Sequence, residues 1–177
     1  MKKIFLSTVL LLFISNIFSQ IFLYKSQSDW ENGIAEEYNE YCYEFGANEY
    51  RYTCMTKGDE KIKLEKNKYW AVAEPKENKI YRIYKWDDGK RADECLLIHS
   101  GEKFYVYILG SATYNEGKNT IEYSFEDVYC SKGFAGKLYR ARDFDKELKQ
   151  YKDDLKGCGA IELKCILQAA GSPKEEE

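Results

Sequence analysis

Histidine, proline and methionine are scarce. The chain has one histidine (His99), two prolines (Pro75 and Pro173) and two methionines in 177 residues. One histidine excludes a multi-histidine metal centre and leaves any imidazole chemistry resting on His99 alone. With so little proline, no proline-rich linker divides the chain, and no internal repeat is present. No Cys-x-x-Cys pair occurs: the gaps between the six cysteines are 12, 41, 35, 28 and 7 residues, a poor match to zinc-site spacing. A Gly-x-Ser-x-Gly nucleophile elbow is also missing. Gly133-Phe134-Ala135-Gly136-Lys137 invites a phosphate-loop reading, but it has too few residues between its glycines. Leu138 also stands where Ser or Thr should follow the lysine, so the segment reads as a turn. Asp87, Asp88, Asp93 and Glu94 lack EF-hand spacing, and Asp-Gly at a turn has backbone reasons of its own. No cofactor and no metal are therefore expected. The formal net charge of −3 argues against nucleic acid as a partner.

What is present begins with Met1-Lys2-Lys3 and an uncharged run from Ile4 to Phe18. That run is short of the roughly 20 apolar residues that span a bilayer. With Ser19 at a suitable cleavage point it reads as a secretory signal peptide. The expected organisation is a leader at 1–19, one domain at 20–171 and a charged, frayed tail at 172–177. The mature chain is expected to be secreted or periplasmic, with no membrane insertion after cleavage. In that compartment an even number of cysteines suggests disulfides. Cys158 and Cys165 flank a glycine-containing bend and read as one bridge, stabilising by roughly 2–3 kcal/mol. Cys42, Cys54, Cys95 and Cys130 stay open between further bridges and buried thiols.

Along the chain, Ile21–Tyr24 reads as a strand. Ser28 and Glu31 have the spacing of a capping box for a brief helix that Gly33 ends. A further strand is expected near Tyr41–Phe45. From Glu49 to Glu126 short alternating runs are separated by turn signals at Gly58-Asp59, Glu74–Asn78, Asp87–Lys90, Ser100–Glu102 and Asn115–Asn119. Asp143 is placed to cap a helix with Phe144, Leu148, Tyr151 and Leu155 on one face. A shorter helix follows from about Ala160 to Ala170. Strands first and helices last predict an α+β fold: an antiparallel meander with C-terminal helices packed on it.

Aromatic residues are in excess, at 16% with 16 tyrosines. Tyr84 and Trp86 share one strand face, as do Tyr105 and Tyr107, with Phe104, Val106 and Ile108 on the opposite face. Trp70 reads as core on the face of Val72. Such a tyrosine-rich face suits a sugar or a protein partner, and also simply packs a sheet well.

The leader ending Phe18-Ser19-Gln20 and the following IFLYKSQSDWENG resemble an uncharacterised family of secreted Bacteroidota proteins. KIKLEKNKYWAV, KIYRIY, EKFYVYIL and the Lys-rich end with Cys158 and Cys165 are similar too. That resemblance carries no known activity, so no residue role transfers.

The expected function is an exported, non-catalytic binding protein whose protein or glycan partner meets Trp86, Tyr105 and Tyr107. The alternative is an exported hydrolase of envelope polymers using paired carboxylates or His99.

Overall fold

A computed structural model describes residues 20–42, 51–143, 151, 153, 155, 157, 158 and 162–173. The leader and most of the helix expected after Asp143 lie outside the described residues. The predicted fold class holds. Ten strands run in chain order among the described residues: β1 (Ile21–Tyr24), β2 (Glu36–Tyr38), β3 (Tyr52–Lys57), β4 (Glu60–Glu65), β5 (Ala71–Glu74), β6 (Lys79–Lys85), β7 (Ala92–Ser100), β8 (Tyr105–Asn115), β9 (Thr120–Ser131) and β10 (Tyr139–Arg140). Eight form one antiparallel sheet in the order β10-β9-β8-β7-β6-β5-β1-β2, while β3 and β4 form a separate hairpin. Consecutive strands from β5 to β10 are neighbours, as short turns between alternating segments require.

Strand alternation sorts the side chains onto two faces. Leu23, Val72, Tyr81, Leu96, Ile108 and Val128 stand opposite one another along the register, so they share a face. At one end of it Met55 and Leu64 of the hairpin pack with Ile21, Leu23, Val72 and Ile83. At the other end Ile166 and Ala170 of the C-terminal helix (Leu163–Ala170) pack with Phe104, Val106, Ile108 and Cys130. Tyr151 and Leu155, expected to point inward, both reach this cluster, and Tyr151 donates to the Lys103 carbonyl (2.8 Å). The opposite face carries Cys95, Tyr107 and Tyr129, closed over by Leu138.

Several local expectations are corrected. The N-terminal helix (Gln27–Glu31) is capped by Ser26, whose side chain accepts from the Asp29 amide, rather than by a Ser28–Glu31 box. Gly33 follows it at φ 66°, where a Cβ is disfavoured. A strand not expected forms at Glu36–Tyr38; of the strand expected near Tyr41–Phe45 only Tyr41 and Cys42 are described, Tyr41 bridging Met55 and the Cys42 amide donating to the Cys54 carbonyl, and residues 43–45 lie outside the described set. Trp70 is half-buried against Trp30 and Phe134 (ring centres 6.4 and 5.3 Å away) instead of joining the Val72 cluster. The chain stays tied to the sheet past Gly171: Ser172 accepts from the Glu102 amide and Pro173 bridges Gly101.

Two disulfides form, Cys158–Cys165 as expected and Cys42–Cys54. They fit an oxidising extracellular or periplasmic compartment. Cys95 and Cys130 are buried free thiols in different core clusters, and burial pushes both thiols well up. No helix among the described residues is long and apolar enough to cross a membrane.

Candidate functional site: a fork between two strands

The sheet is not closed along its whole length. On β7, pairing with β6 covers Ala92 to Leu96, while pairing with β8 covers only Leu96 to Ser100. On β8, pairing with β7 stops at Ile108, and from Leu109 to Asn115 its partner among the described residues is β9 alone. The two strands therefore diverge into a fork, and the β8–β9 hairpin continues as a two-stranded arm. A register shift at Leu109/Gly110 marks the departure, as bulges commonly do where a strand bends away. Gly110 is required there. A Cβ at this position would lie 2.1 Å from the Ser124 carbonyl oxygen and 2.6 Å from Phe125 Cα.

Two cavities occupy the fork and share Asp93, Leu109 and Glu126. One, of about 540 Å³, is walled by Lys66, Tyr81, Glu94 and Phe125. Tyr81 and Glu94 lie on the face covered by the C-terminal helix. The other, of about 410 Å³, is walled by Trp86, Arg91, Asp127, Tyr129 and Arg140 and opens on the opposite face.

The second cavity holds the denser chemistry. Asp93 is only 3% exposed. Its Oδ2 accepts from Trp86 Nε1 (2.8 Å) and Tyr129 OH (3.3 Å). Burial still pushes its carboxyl above the usual range, against the pull of those two bonds. The guanidiniums of Arg140 and Arg91 stand 4.3 and 4.5 Å from the Trp86 ring centre, within cation–π reach. Arg140 Nε lies 3.3 Å from Asp127 Oδ2 and Arg91 Nε 2.6 Å from Asp88 Oδ2. In the first cavity Lys66 pairs with Glu94 at 3.5 Å. The chain matches no protein-family model, no curated protein and no solved structure. The chemistry of the site is therefore read from its geometry alone.

Of the residues singled out in the sequence, Trp86 lines the second cavity and meets Tyr84 edge-on at 6.1 Å. Tyr105 and Tyr107 share the sheet face of Tyr129 but do not extend an open surface from Trp86. Tyr107 is fully buried, with its hydroxyl 3.2 Å from Ser131 Oγ and burial pushing it up to about 12. Tyr105 is half-buried against the same cluster. A ring closed over by its own fold offers no contact to a ligand, so Tyr107 is corrected to a core residue. His99 lines neither cavity; its Nε2 donates to the Gly171 carbonyl (2.8 Å) and anchors the end of the C-terminal helix. Asp88, in the acidic turn whose spacing does not fit a calcium loop, caps that turn: it accepts from the Lys90 and Arg91 amides, which with the Arg91 guanidinium bring its carboxyl down to about 2.

Asp93, Glu126 and Arg140 were not legible as a site. Asp93 stood out only as part of an acidic turn. Glu126 is the residue skipped at the bulge in the middle of β9, and Arg140 comes from a two-residue strand; neither position carries a motif.

Proposed function

We propose that the chain is an exported binding protein without a catalytic role, and that its ligand enters the Trp86 cavity. The observation that carries this reading is one indole held between a buried carboxylate and two guanidiniums on the wall of a roughly 410 Å³ cavity. Concave sites with an aromatic wall and a few fixed polar groups are the usual form of a binding pocket. The guanidiniums lie against the ring that a stacked sugar would use, so recognition falls to their outward N–H groups, the pocket edges and the neighbouring carboxylates. Export is supported by the apolar leader and by two disulfides, and placement in a secreted Bacteroidota family belongs to the same proposal.

The test immobilises residues 20–177 and probes native envelope extract and crude polysaccharide. One saturable ligand should be retained by the parent and by Tyr105→Phe, and lost in Arg91→Ala. The Arg91 side chain is half exposed, so that variant keeps its fold. Retention unaffected by Arg91→Ala and by Trp86→Phe refutes the assignment. Turnover of an envelope polymer by the parent would favour the hydrolase instead.

A further inference from the structure

We infer that the fork takes an extended polypeptide segment of a partner protein, carrying a lysine or arginine, which pairs with the open edge of β8 from Leu109 to Ala112. This rests on the binding-protein reading above and names the ligand class for the same site.

Three observations converge on it. The first is the open edge. Among the described residues, 92–95 of β7 pair on one side only, and β8 beyond Ile108 pairs only with β9. Backbone N–H and C=O groups on the sides facing the fork are left for another strand to take up.

The second is the position of the two cavities. An extended chain sends successive side chains to opposite faces. The fork has one cavity on each face, and the two meet at Asp93, Leu109 and Glu126. A segment lying along β8 would place alternate side chains in the Tyr81–Phe125 cavity and the Trp86–Tyr129 cavity. A ligand without that alternation would have no use for both.

The third is charge. The charge of each base that walls the fork is already balanced by a carboxylate: Lys66 by Glu94, and Arg91 and Arg140, through Nε, by Asp88 and Asp127. Asp93 is held by Trp86 and Tyr129. Glu126 lines both cavities, is exposed, and makes no ion pair among the described residues. It is the group left to meet an incoming cation.

The test selects displayed random linear peptides, long enough to span Leu109–Asn115, on residues 20–177. The selected peptides should be rich in β-forming residues with at least one Lys or Arg. N-methylating their backbone amides one at a time should weaken binding roughly tenfold at alternate positions and little between them. Glu126→Gln should weaken binding roughly two- to fivefold. Peptides indifferent to Glu126→Gln and Arg91→Ala, or an N-methyl walk without a period of two, overturn the inference. If no peptide is selected while crude polysaccharide binds and needs Arg91, the strand proposal falls and the binding-protein reading stands. If peptide, polysaccharide and envelope extract all fail to bind, both fall.

Discussion

Gly110→Ala tests whether the fork is built as described. The added methyl meets the Ser124 carbonyl oxygen at 2.1 Å and Phe125 Cα at 2.6 Å. Both are backbone atoms of the paired strand, so no side chain can swing aside to relieve the contact. The β8–β9 arm must separate or shift its register at the bulge. Overpacking that moves backbone costs about 1–3 kcal/mol. For a chain of this length each kcal/mol is worth ~2–4 °C in Tm, so about 2 kcal/mol corresponds to roughly 4–8 °C. Gly117→Ala is the matched control. It lies in the turn of the same hairpin, and its nearest neighbour would be Asn115 Oδ1 at 3.5 Å, an ordinary contact. That variant should stay within about 0.5 kcal/mol of the parent. Urea denaturation followed by tyrosine and tryptophan fluorescence, with m unchanged, would read both. Equal stability for the two variants would show that the strands do not approach at Gly110, and the origin assigned to the fork would be wrong.

Three further outcomes follow from the packing. Asp93 has its carboxyl pushed up by burial, so the folded state holds its proton to higher pH than the unfolded chain. Wild-type stability is therefore lost to this group as pH rises above the usual carboxylate value of 3.8. Asp93→Asn removes that loss, so its stability relative to wild type should improve from about pH 4 upward and then level off; a difference that worsens with rising pH contradicts the sign. Arg82 is buried, lies 3.8 Å from the Trp70 ring centre, donates to the Phe134 carbonyl and has no hydrogen bond at Nε among the described residues. Arg82→Met exchanges those contacts for relief of a buried charge and should stay within ~2 kcal/mol of the parent in chemical denaturation; a loss above about 4 kcal/mol would show the guanidinium to be a net stabiliser. Replacing both Cys158 and Cys165 by serine opens a short loop and should lower stability by about 2–3 kcal/mol, measured without reductant so that Cys42–Cys54 stays closed; no change would mean that the C-terminal helix docks independently of its bridge.

Much of the fold could be read from the sequence because its elements are short and clearly punctuated. Asp87–Lys90 and Asn115–Asn119 announce their turns, and Phe104, Val106 and Ile108 alternate cleanly against Tyr105 and Tyr107. The Cys158–Cys165 bridge was legible from proximity along the chain, whereas Cys42–Cys54 had no such signal. β9 runs on to Ser131, past Glu126 where the alternating region was expected to end, because Val128 and Cys130 face the C-terminal helix, a contact no local pattern reveals. The site was only partly legible, for a related reason. Trp86 was singled out by its strand end, but the fork exists because β8 leaves β7 at a bulge, and the sequence there, Leu109-Gly110-Ser111, reads as an ordinary weak point in a strand. Tyr107 misled because alternation tells which residues share a face and not whether another segment closes over that face. Here Leu138 does so.

The most direct test of the open fork is backbone hydrogen exchange on the free protein, resolved by residue. Amides of Tyr105–Ile108 are paired on both sides, to β7 and to β9, and should exchange slowly. If the fork is open, at least one amide in Asp93–Cys95 and one in Leu109–Ala112 should exchange about as fast as those of the Asn115–Asn119 turn. Uniform slow exchange along both strands would mean that the sheet is closed there, and the binding site placed in the fork would not exist.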